Sequence, residues 1–141
     1  MAATKQQIIE ALKKSYFMEL ETVLNYLANS LHLDGVRAEA IKKALQADIQ
    51  EELTHATQLG SSLDLHFNQK SMQPPADSTD VVTVIRGVLA AEEEAISQYK
   101  ALIKLTDGED YVTQDLVITL LSDEEAHRQQ FEGYLKEYTK P

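Results

Sequence analysis

Cysteine is absent from this chain of 141 residues, which excludes disulfide bridges and metal sites built on thiolates. Any bound metal ion would need oxygen and nitrogen donors. Glycine and proline are scarce, at 5 and 3 residues, whereas Ala, Leu, Glu, Gln and Lys are abundant. That composition favours helix over sheet. We therefore expect an all-α protein that forms one domain over residues 1–141.

Basic residues are also few: 13 Lys and Arg stand against 23 Asp and Glu, which gives a formal net charge of -10. A surface of this charge repels phosphate, so a nucleic-acid partner is not expected. The N-terminus lacks the apolar core of a signal peptide, and no apolar run is long enough to span a bilayer. The expectation is a cytoplasmic protein with no membrane association.

Apolar residues recur at steps of three and four in four long segments, the period of amphipathic helices. The predicted helices run from about Thr4 to Leu31, Val36 to Asp64, Thr79 to Thr106 and Asp110 to Tyr138. Thr4 is a suitable N-cap for the first helix, and Asp80 suits the first turn of the third. The dipeptides that end helices one and three are Asp34-Gly35 and Asp107-Gly108.

The connection between the second and third predicted helices, residues 65–78, is long for a bundle and contains Pro74 and Pro75. A helix of roughly 28 residues is about 42 Å long, and roughly 14 extended residues cover about 46 to 50 Å. The connection can therefore run the length of the bundle. We predict a four-helix bundle with one long crossover between the second and third helices.

A short motif, Glu-x-x-His, occurs twice. It reads Glu52-Leu53-Thr54-His55 in the second helix and Glu124-Glu125-Ala126-His127 in the fourth. Residues three apart share one face of a helix, so each motif can direct a carboxylate and an imidazole at one point. A single motif of this kind most often marks an exposed helix face. Two of them on core-facing stripes need a further explanation.

Each motif belongs to a longer repeat, in which a glutamate is followed seven residues later by a tyrosine and then by Glu-x-x-His. The members are Glu19, Tyr26, Glu52 and His55 in the first half, and Glu92, Tyr99, Glu124 and His127 in the second. The two glutamates are 33 residues apart in the first half and 32 in the second. Helix geometry alone does not choose between Glu19 and Glu21, because both lie near apolar residues.

Four carboxylates and two imidazoles that point into one core require compensation. A buried, unpaired carboxylate is costly and tends to become protonated. Two divalent cations supply four positive charges against the four glutamates. The repeat therefore predicts a dinuclear metal site.

On these residues the chain resembles the ferritin-like superfamily, and within it bacterioferritin and its short relatives, over nearly its whole length. The fold implied is a ferritin-like four-helix bundle with a di-iron carboxylate site. By this resemblance Glu19 and His55 would bind one iron and Glu92 and His127 the other. Glu52 and Glu124 would bridge the two ions.

The resemblance also chooses among neighbouring glutamates. The family has its tyrosine seven residues after the first-helix ligand, which favours Glu19 over Glu21 and Glu92 over its two neighbours. Tyr26 and Tyr99 resemble the tyrosines that hydrogen-bond ligands and take part in electron transfer in this family. Packing of both rings in the core is compatible with that role.

The activity implied is that of a ferroxidase, which oxidises Fe(II) to Fe(III) with O2 or H2O2, in iron storage or detoxification. The expected cofactor is a pair of Fe ions, although the ligands would also accept Mn. Leu53 stands where bacterioferritin has a haem-binding Met, so no haem is expected. Only 14 residues follow His127, too few for the family's fifth helix. A homodimer is the leading expectation, with a larger assembly left open.

Three other functions compete with this one. A rubrerythrin-like peroxidase or oxidase would use an extra glutamate, for which Glu93 and Glu94 are candidates. A non-catalytic bundle used for interaction would bind no metal tightly. A DNA-protecting mini-ferritin is disfavoured by the negative charge and because its ligands normally lie between subunits.

Overall fold

A computed structural model describes residues 2–61, 63 and 80–141 of the chain. All regular secondary structure in these residues is helical, which confirms the predicted fold class. The four α-helices are α1 (Lys5–His32), α2 (Glu39–Ser61), α3 (Val81–Thr106) and α4 (Tyr111–Thr139). A 3₁₀ turn, Val36–Ala38, precedes α2.

Polar caps fix the N-termini of three helices. The Thr4 hydroxyl accepts a hydrogen bond from the Gln7 backbone N–H, and the Gln7 side chain accepts one from the Thr4 N–H. This reciprocal capping box confirms Thr4 as the N-cap. Asp80 caps α3 by accepting from the Thr83 backbone N–H, so its predicted place inside the first turn is wrong by one position. Asp110 caps α4 in the same way.

The second helix begins three residues later than predicted. Gly35 has a φ of 87°, a conformation that favours glycine, and the chain then passes through the 3₁₀ turn before α2 starts at Glu39. The predicted end at Asp64, the predicted start of the third helix at Thr79 and the crossover over residues 65–78 lie outside the described residues.

Side-chain contacts give the directions of the helices. Gly60 of α2 lies against Tyr16 of α1, and His55 lies near Glu19, so α1 and α2 are antiparallel. Tyr26 of α1 contacts Glu92 of α3, and Glu19 of α1 contacts Tyr99 of α3. Residue numbers rise along α1 as those of the partners fall along α3, so these two helices are also antiparallel. Consequently α2 and α3 run parallel, the direction that one long crossover gives.

Two apolar clusters fill the bundle on either side of its middle. The buried members of the first are Ile8, Leu12, Tyr16, Ala56, Leu59, Leu63, Ala95, Tyr99, Leu102, Val117 and Leu120. Those of the second are Tyr26, Leu33, Ala38, Ile41, Ala44, Leu45, Ile49, Val84, Ile85, Val88 and Phe131. Burial of these side chains is the main force that holds the helices together. Buried glutamates and histidines lie between the two clusters. None of the helices in the described ranges has an apolar stretch that could cross a bilayer.

Candidate metal centre

The six side chains singled out as metal ligands lie together at the middle of the bundle. All four helices contribute to this cluster. Its members are Glu19 from α1, Glu52 and His55 from α2, Glu92 from α3, and Glu124 and His127 from α4. Each is at most 4% exposed to solvent. As the Glu-x-x-His spacing predicts, the glutamate and the histidine of each motif point to the same interior space.

One half of the cluster surrounds His55. Its Nδ1 lies 3.2 Å from Glu52 Oε2 and 3.1 Å from Glu124 Oε1. The same nitrogen lies 3.7 Å from Glu19 Oε1. Three carboxylates from three different helices thus face a single ring nitrogen.

The other half repeats this pattern around His127. Its Nδ1 lies 3.2 Å from Glu52 Oε1, 3.4 Å from Glu124 Oε2 and 3.7 Å from Glu92 Oε1. Glu52 and Glu124 therefore each present one oxygen to each histidine. Glu19 and Glu92 each face one histidine only. The two imidazole rings are 6.3 Å apart between centroids.

The neighbouring glutamates lie outside this cluster. Glu21 is half-buried, and Glu93 and Glu94 are exposed, whereas Glu19 and Glu92 are each 1% exposed. Only Glu92 of the three consecutive glutamates on α3 points into the bundle. An extra ligand from Glu93 or Glu94, as a rubrerythrin-like site would use, has no support in this arrangement.

The two tyrosines of the repeat bond crosswise between the halves. The Tyr26 hydroxyl donates to Glu92, and the Tyr99 hydroxyl donates to Glu19. Both rings are buried, at 1% and 0% exposure. Burial, together with the adjacent carboxylates, raises the pKa of each phenol above its ordinary value, so both stay protonated and act as donors.

Sequence reasoning missed the carboxylates that hold the outer nitrogens of the histidines. His55 Nε2 lies 3.0 Å from Asp123 Oδ2, and His127 Nε2 lies 2.9 Å from Glu51 Oε2. The Glu51 side chain contacts His127 although it is 45% exposed. A carboxylate on the outer nitrogen fixes the ring and its tautomer for metal binding. The available signal was an acidic residue immediately before the glutamate of each Glu-x-x-His.

Asp48, one turn before Glu51 on α2, is a further buried carboxylate that the sequence did not reveal. It is 6% exposed, and its Oδ1 lies 3.9 Å from His127 Nε2. Its Oδ2 is buried without a hydrogen-bond partner among the described residues. Burial raises the pKa of Asp48 to about 6.

Both histidine side chains favour the positively charged imidazolium form when no metal ion is bound. Burial alone would lower the pKa of His55 and His127, because it penalises the charged imidazolium. The surrounding carboxylates, Glu124 first among them, outweigh burial and raise both pKa values well above the ordinary value. The metal-free site thus keeps its two imidazoles positive.

The four glutamates of the cluster form two pairs, which differ in the direction of their pKa shifts. Burial raises the pKa of Glu52 to about 7 and that of Glu124 to about 9. Burial acts in the same direction on Glu19 and Glu92, but His55 and His127 respectively bring the pKa of each below the ordinary value. Two carboxylates are therefore ionised against two imidazolium groups, and two tend to be protonated.

The donor set fits a pair of divalent ions. Glu92 Oε2 is buried without a hydrogen-bond partner among the described residues, and Glu52 Oε1 and His127 Nδ1, although 3.2 Å apart, form no well-directed hydrogen bond. Such unpaired atoms are costly unless something binds them. The ligating atoms form two groups, each within 4.8 Å: Glu19, Glu52, His55 and Glu124, and Glu52, Glu92, Glu124 and His127. Carboxylate and imidazole donors suit Fe, Mn and Zn ions.

Comparison with protein families gives a match over residues 9–140 to the family model described as Ferritin, ferritin-like domain. Among curated proteins, the bacterioferritin of Brucella melitensis is 29% identical over 86% of this chain and 78% of its own length. The DNA protection during starvation protein of Pyrococcus furiosus is 25% identical over 92% of this chain and 77% of its own length.

Solved structures of other proteins share the fold. The dodecameric thioferritin of Bacteroides fragilis, a bacterioferritin-related protein, superposes with a TM-score of 0.87 at 21% identity, covering 96% of this chain and 88% of its own. The bacterioferritin of Mycobacterium tuberculosis gives a TM-score of 0.84 at 19% identity, covering 95% and 87%. At these identities the likeness concerns the backbone arrangement of the bundle.

Proposed function

The chain belongs to the ferritin-like domain family, and from that premise we propose that it is a ferroxidase, which oxidises Fe(II) to Fe(III) at a dinuclear site inside its bundle. Glu19 and His55 bind one ion, and Glu92 and His127 bind the other. Glu52 and Glu124 bridge them. The electron acceptor is O2 or H2O2, and the biological purpose is iron storage or detoxification.

The disposition of Glu52 and Glu124 carries this proposal. Each directs one carboxylate oxygen toward His55 and the other toward His127, at 3.1 to 3.4 Å. A carboxylate shared in this way would hold two ions side by side. Two groups of four ligating residues that share Glu52 and Glu124 would suit two ions better than one.

The reaction balances as two one-electron oxidations. Two Fe(II) give up one electron each and become Fe(III), and O2 takes the two electrons with two protons to become H2O2. With H2O2 as the acceptor, the same two electrons and two protons break the O–O bond and give two molecules of water. Two ferrous ions held together supply the pair of electrons in a single site.

The remaining residues position the ligands. The Tyr26 and Tyr99 hydroxyls donate to Glu92 and Glu19 and so fix the two glutamates that each face one histidine. Asp123 and Glu51 accept from the outer nitrogens of the histidines. In this arrangement each histidine keeps its Nδ1 lone pair directed at the metal position.

We further infer that copies of the chain associate through one face of α1. Leu24, Leu27 and Leu31 recur at helical spacing and are 50%, 45% and 74% exposed. Leu53 of the adjacent α2 adds a fourth leucine, at 40%. Exposed apolar rows of this kind usually mark contact surfaces. A homodimer is the simplest assembly, and the related protein of Bacteroides fragilis is a dodecamer.

The charge of this chain argues against the DNA-protecting function in the name of the Pyrococcus furiosus relative. The formal net charge of this chain is -10, which opposes binding to a phosphate backbone. The cluster is also complete within one bundle, with ligands from all four helices.

The proposed function is tested by measuring Fe(III) formation after O2 is added to the Fe(II)-loaded protein, using ultraviolet absorbance. Glu92→Ala and Glu93→Ala are matched variants, because the residues are adjacent but only Glu92 lies in the cluster. We expect Glu92→Ala to lose the rapid oxidation and Glu93→Ala to keep it. Equal rates in both variants and the parent would refute a ferroxidase site in the bundle.

A further inference from the structure

An apolar pocket of about 400 Å³ opens on the side of the bundle where α1 packs against α2. Tyr16 and Ala56 form its buried floor, whereas Leu53 and Thr57 are exposed at its mouth. The pocket therefore leads from solvent toward the interior. The described residues that line it, none of which carries a charge, are Tyr16, Leu20, Leu53, Ala56, Thr57, Gly60, Ser61 and Leu63.

This pocket lies beside the ligands proposed for the first ion. Three of its lining residues are those that directly follow Glu19, Glu52 and His55 in the sequence. Tyr16 is three residues before Glu19 and so lies on the same face of α1. Ala56 is four residues after Glu52 and shares its face of α2. Because three residues of a helix rise by about 4.5 Å, roughly one helical turn separates the floor of the pocket from the cluster along the bundle.

The chemistry of the lining suits a small apolar molecule. The hydroxyls of Thr57 and Ser61 already donate to the backbone carbonyls of Leu53 and Gln58. A divalent cation would lose its hydration in this pocket without gaining a carboxylate, and H2O2 would lose its hydrogen bonds to water. Apolar cavities in proteins take up apolar guests such as xenon. Dioxygen is a guest of the same kind, since it is small, uncharged and apolar.

We propose that this pocket receives dioxygen and delivers it to the dinuclear site, so that O2 rather than H2O2 is the electron acceptor of this chain. The inference rests on the proposed ferroxidase function. Dioxygen arrives from the α1–α2 side, whereas the outer carboxylates, Glu51 and Asp123, lie where α2 contacts α4. It accepts one electron from each ferrous ion together with two protons and becomes H2O2, while both ions become Fe(III).

Xenon tests the pocket in the absence of iron. Crystals of the full chain are pressurised with xenon, and its anomalous scattering shows where it binds. We expect a xenon peak between Leu53 and Ala56, among the residues that line the pocket. A pocket without xenon, including one that a side chain of a neighbouring copy fills, would overturn the assignment and leave the dinuclear site unaffected.

Two exposed threonines of α2 provide matched variants for a kinetic test. The hydroxyls of Thr54 and Thr57 each donate to the carbonyl four residues earlier, but of the two only Thr57 lines the pocket. Thr57→Phe places an aromatic ring at the mouth. We expect it to raise the KM for O2 several-fold, with no change in kcat at saturating O2 or in anaerobic Fe(II) binding. Thr54→Phe should behave as the parent does.

The choice of oxidant separates the possible outcomes. Oxidation of the bound Fe(II) by H2O2 should proceed at the same rate in Thr57→Phe and the parent, because the polar peroxide does not use the pocket. An O2 dependence that Thr57→Phe leaves unchanged, or an equal loss of rate with O2 and H2O2, would overturn the delivery of O2 through the pocket alone. If the parent oxidises no Fe(II) with either acceptor, the ferroxidase proposal is wrong, and the delivery role falls with it.

Discussion

The Tyr99 hydroxyl on α3 donates a hydrogen bond to the Glu19 carboxylate on α1, and Tyr26 on α1 donates to Glu92 on α3. Each tyrosine thus joins its own half of the repeat to the other half. These two hydrogen bonds connect α1 to α3 at the level of the buried glutamate–histidine cluster. They also keep two buried carboxylates hydrogen-bonded when no metal is present.

Loss of one such bond should destabilise the metal-free protein. In Tyr99→Phe the ionised Glu19 loses a donor in a buried site, where a hydrogen bond to a charged group contributes about 1.5–3 kcal/mol. We expect the free energy of unfolding in urea at pH 7 to fall by that amount. Tyr111→Phe is the control, since Tyr111 is 69% exposed and should change little. Equal stability of Tyr99→Phe and the parent would show that the bond is not formed in solution.

Metal binding should release protons. Histidine must be neutral to ligate, and His55 and His127 are protonated in the metal-free site. The pKa of Glu124 is raised to about 9 and that of Glu52 to about 7, so both hold protons at pH 6. At pH 6, the binding of two divalent ions should therefore displace about four protons, one from each of the two imidazoles and one from each of the two carboxylates.

Each ligand is mostly protonated below its pKa, and its proton competes with the metal ion. Raising the pH removes these protons. The affinity for Zn2+ should therefore increase with pH, and the protons released should fall to about three at pH 8 as Glu52 ionises. Calorimetry in buffers of different ionisation enthalpy counts these protons. Glu93→Gln should leave the count unchanged. A pH-independent affinity would contradict the protonation described for the metal-free site.

The fold and the two Glu-x-x-His pairs could be predicted from helical spacing, whereas the choice of Glu19 and Glu92 among their neighbours rested on the resemblance to the ferritin-like superfamily. Glu52 and His55 are three residues apart, and residues at that interval lie on the same face of a helix. The role of Glu51 could not be predicted in this way. Its partner His127 is 76 positions away on another helix, and the contact depends on how α2 and α4 pack. Asp48 was missed for the same reason, since its burial is set by neighbouring helices.

Helix boundaries were predicted less accurately where local turn geometry decides them. The second helix was predicted to begin at about Val36, but Val36–Ala38 form a 3₁₀ turn after the positive φ of Gly35. Ala38 is fully buried within this 3₁₀ turn. The hydrophobic pattern alone therefore could not distinguish the turn from an α-helix.

The carboxylate on the outer nitrogen of His55 should tune metal affinity. Asp123→Asn keeps the size of the side chain but weakens the hydrogen bond that fixes the ring. We expect the affinity of the dinuclear site for Zn2+ to fall tenfold to a hundredfold. Asp115→Asn, on the exposed side of the same helix, should bind as the parent does. Competition with a chelator of known affinity measures the difference, and unchanged binding by Asp123→Asn would show that His55 needs no such support.

The leucine row on α1 should govern association. Leu27→Glu places a charge at the centre of the row, and burial of an unpaired charge in a contact is strongly unfavourable. We expect the mass measured by light scattering after size-exclusion chromatography to drop toward that of one chain. Val112→Glu is the matched control, because Val112 is apolar and 84% exposed but lies at the start of α4. Dissociation by Val112→Glu with no effect of Leu27→Glu would assign the contact to the other end of the bundle.

The most direct test of a dinuclear ferroxidase is an anaerobic titration with Fe(II), which counts the ions bound before any oxidation. The two groups of ligands around His55 and His127 predict tight binding that saturates at two Fe(II) per chain. Glu52 and Glu124 each serve both groups, so Glu52→Ala or Glu124→Ala should abolish this saturation. Absence of tight binding in the parent, or the same titration curve in both variants, would contradict the central claim and favour a bundle that functions without metal.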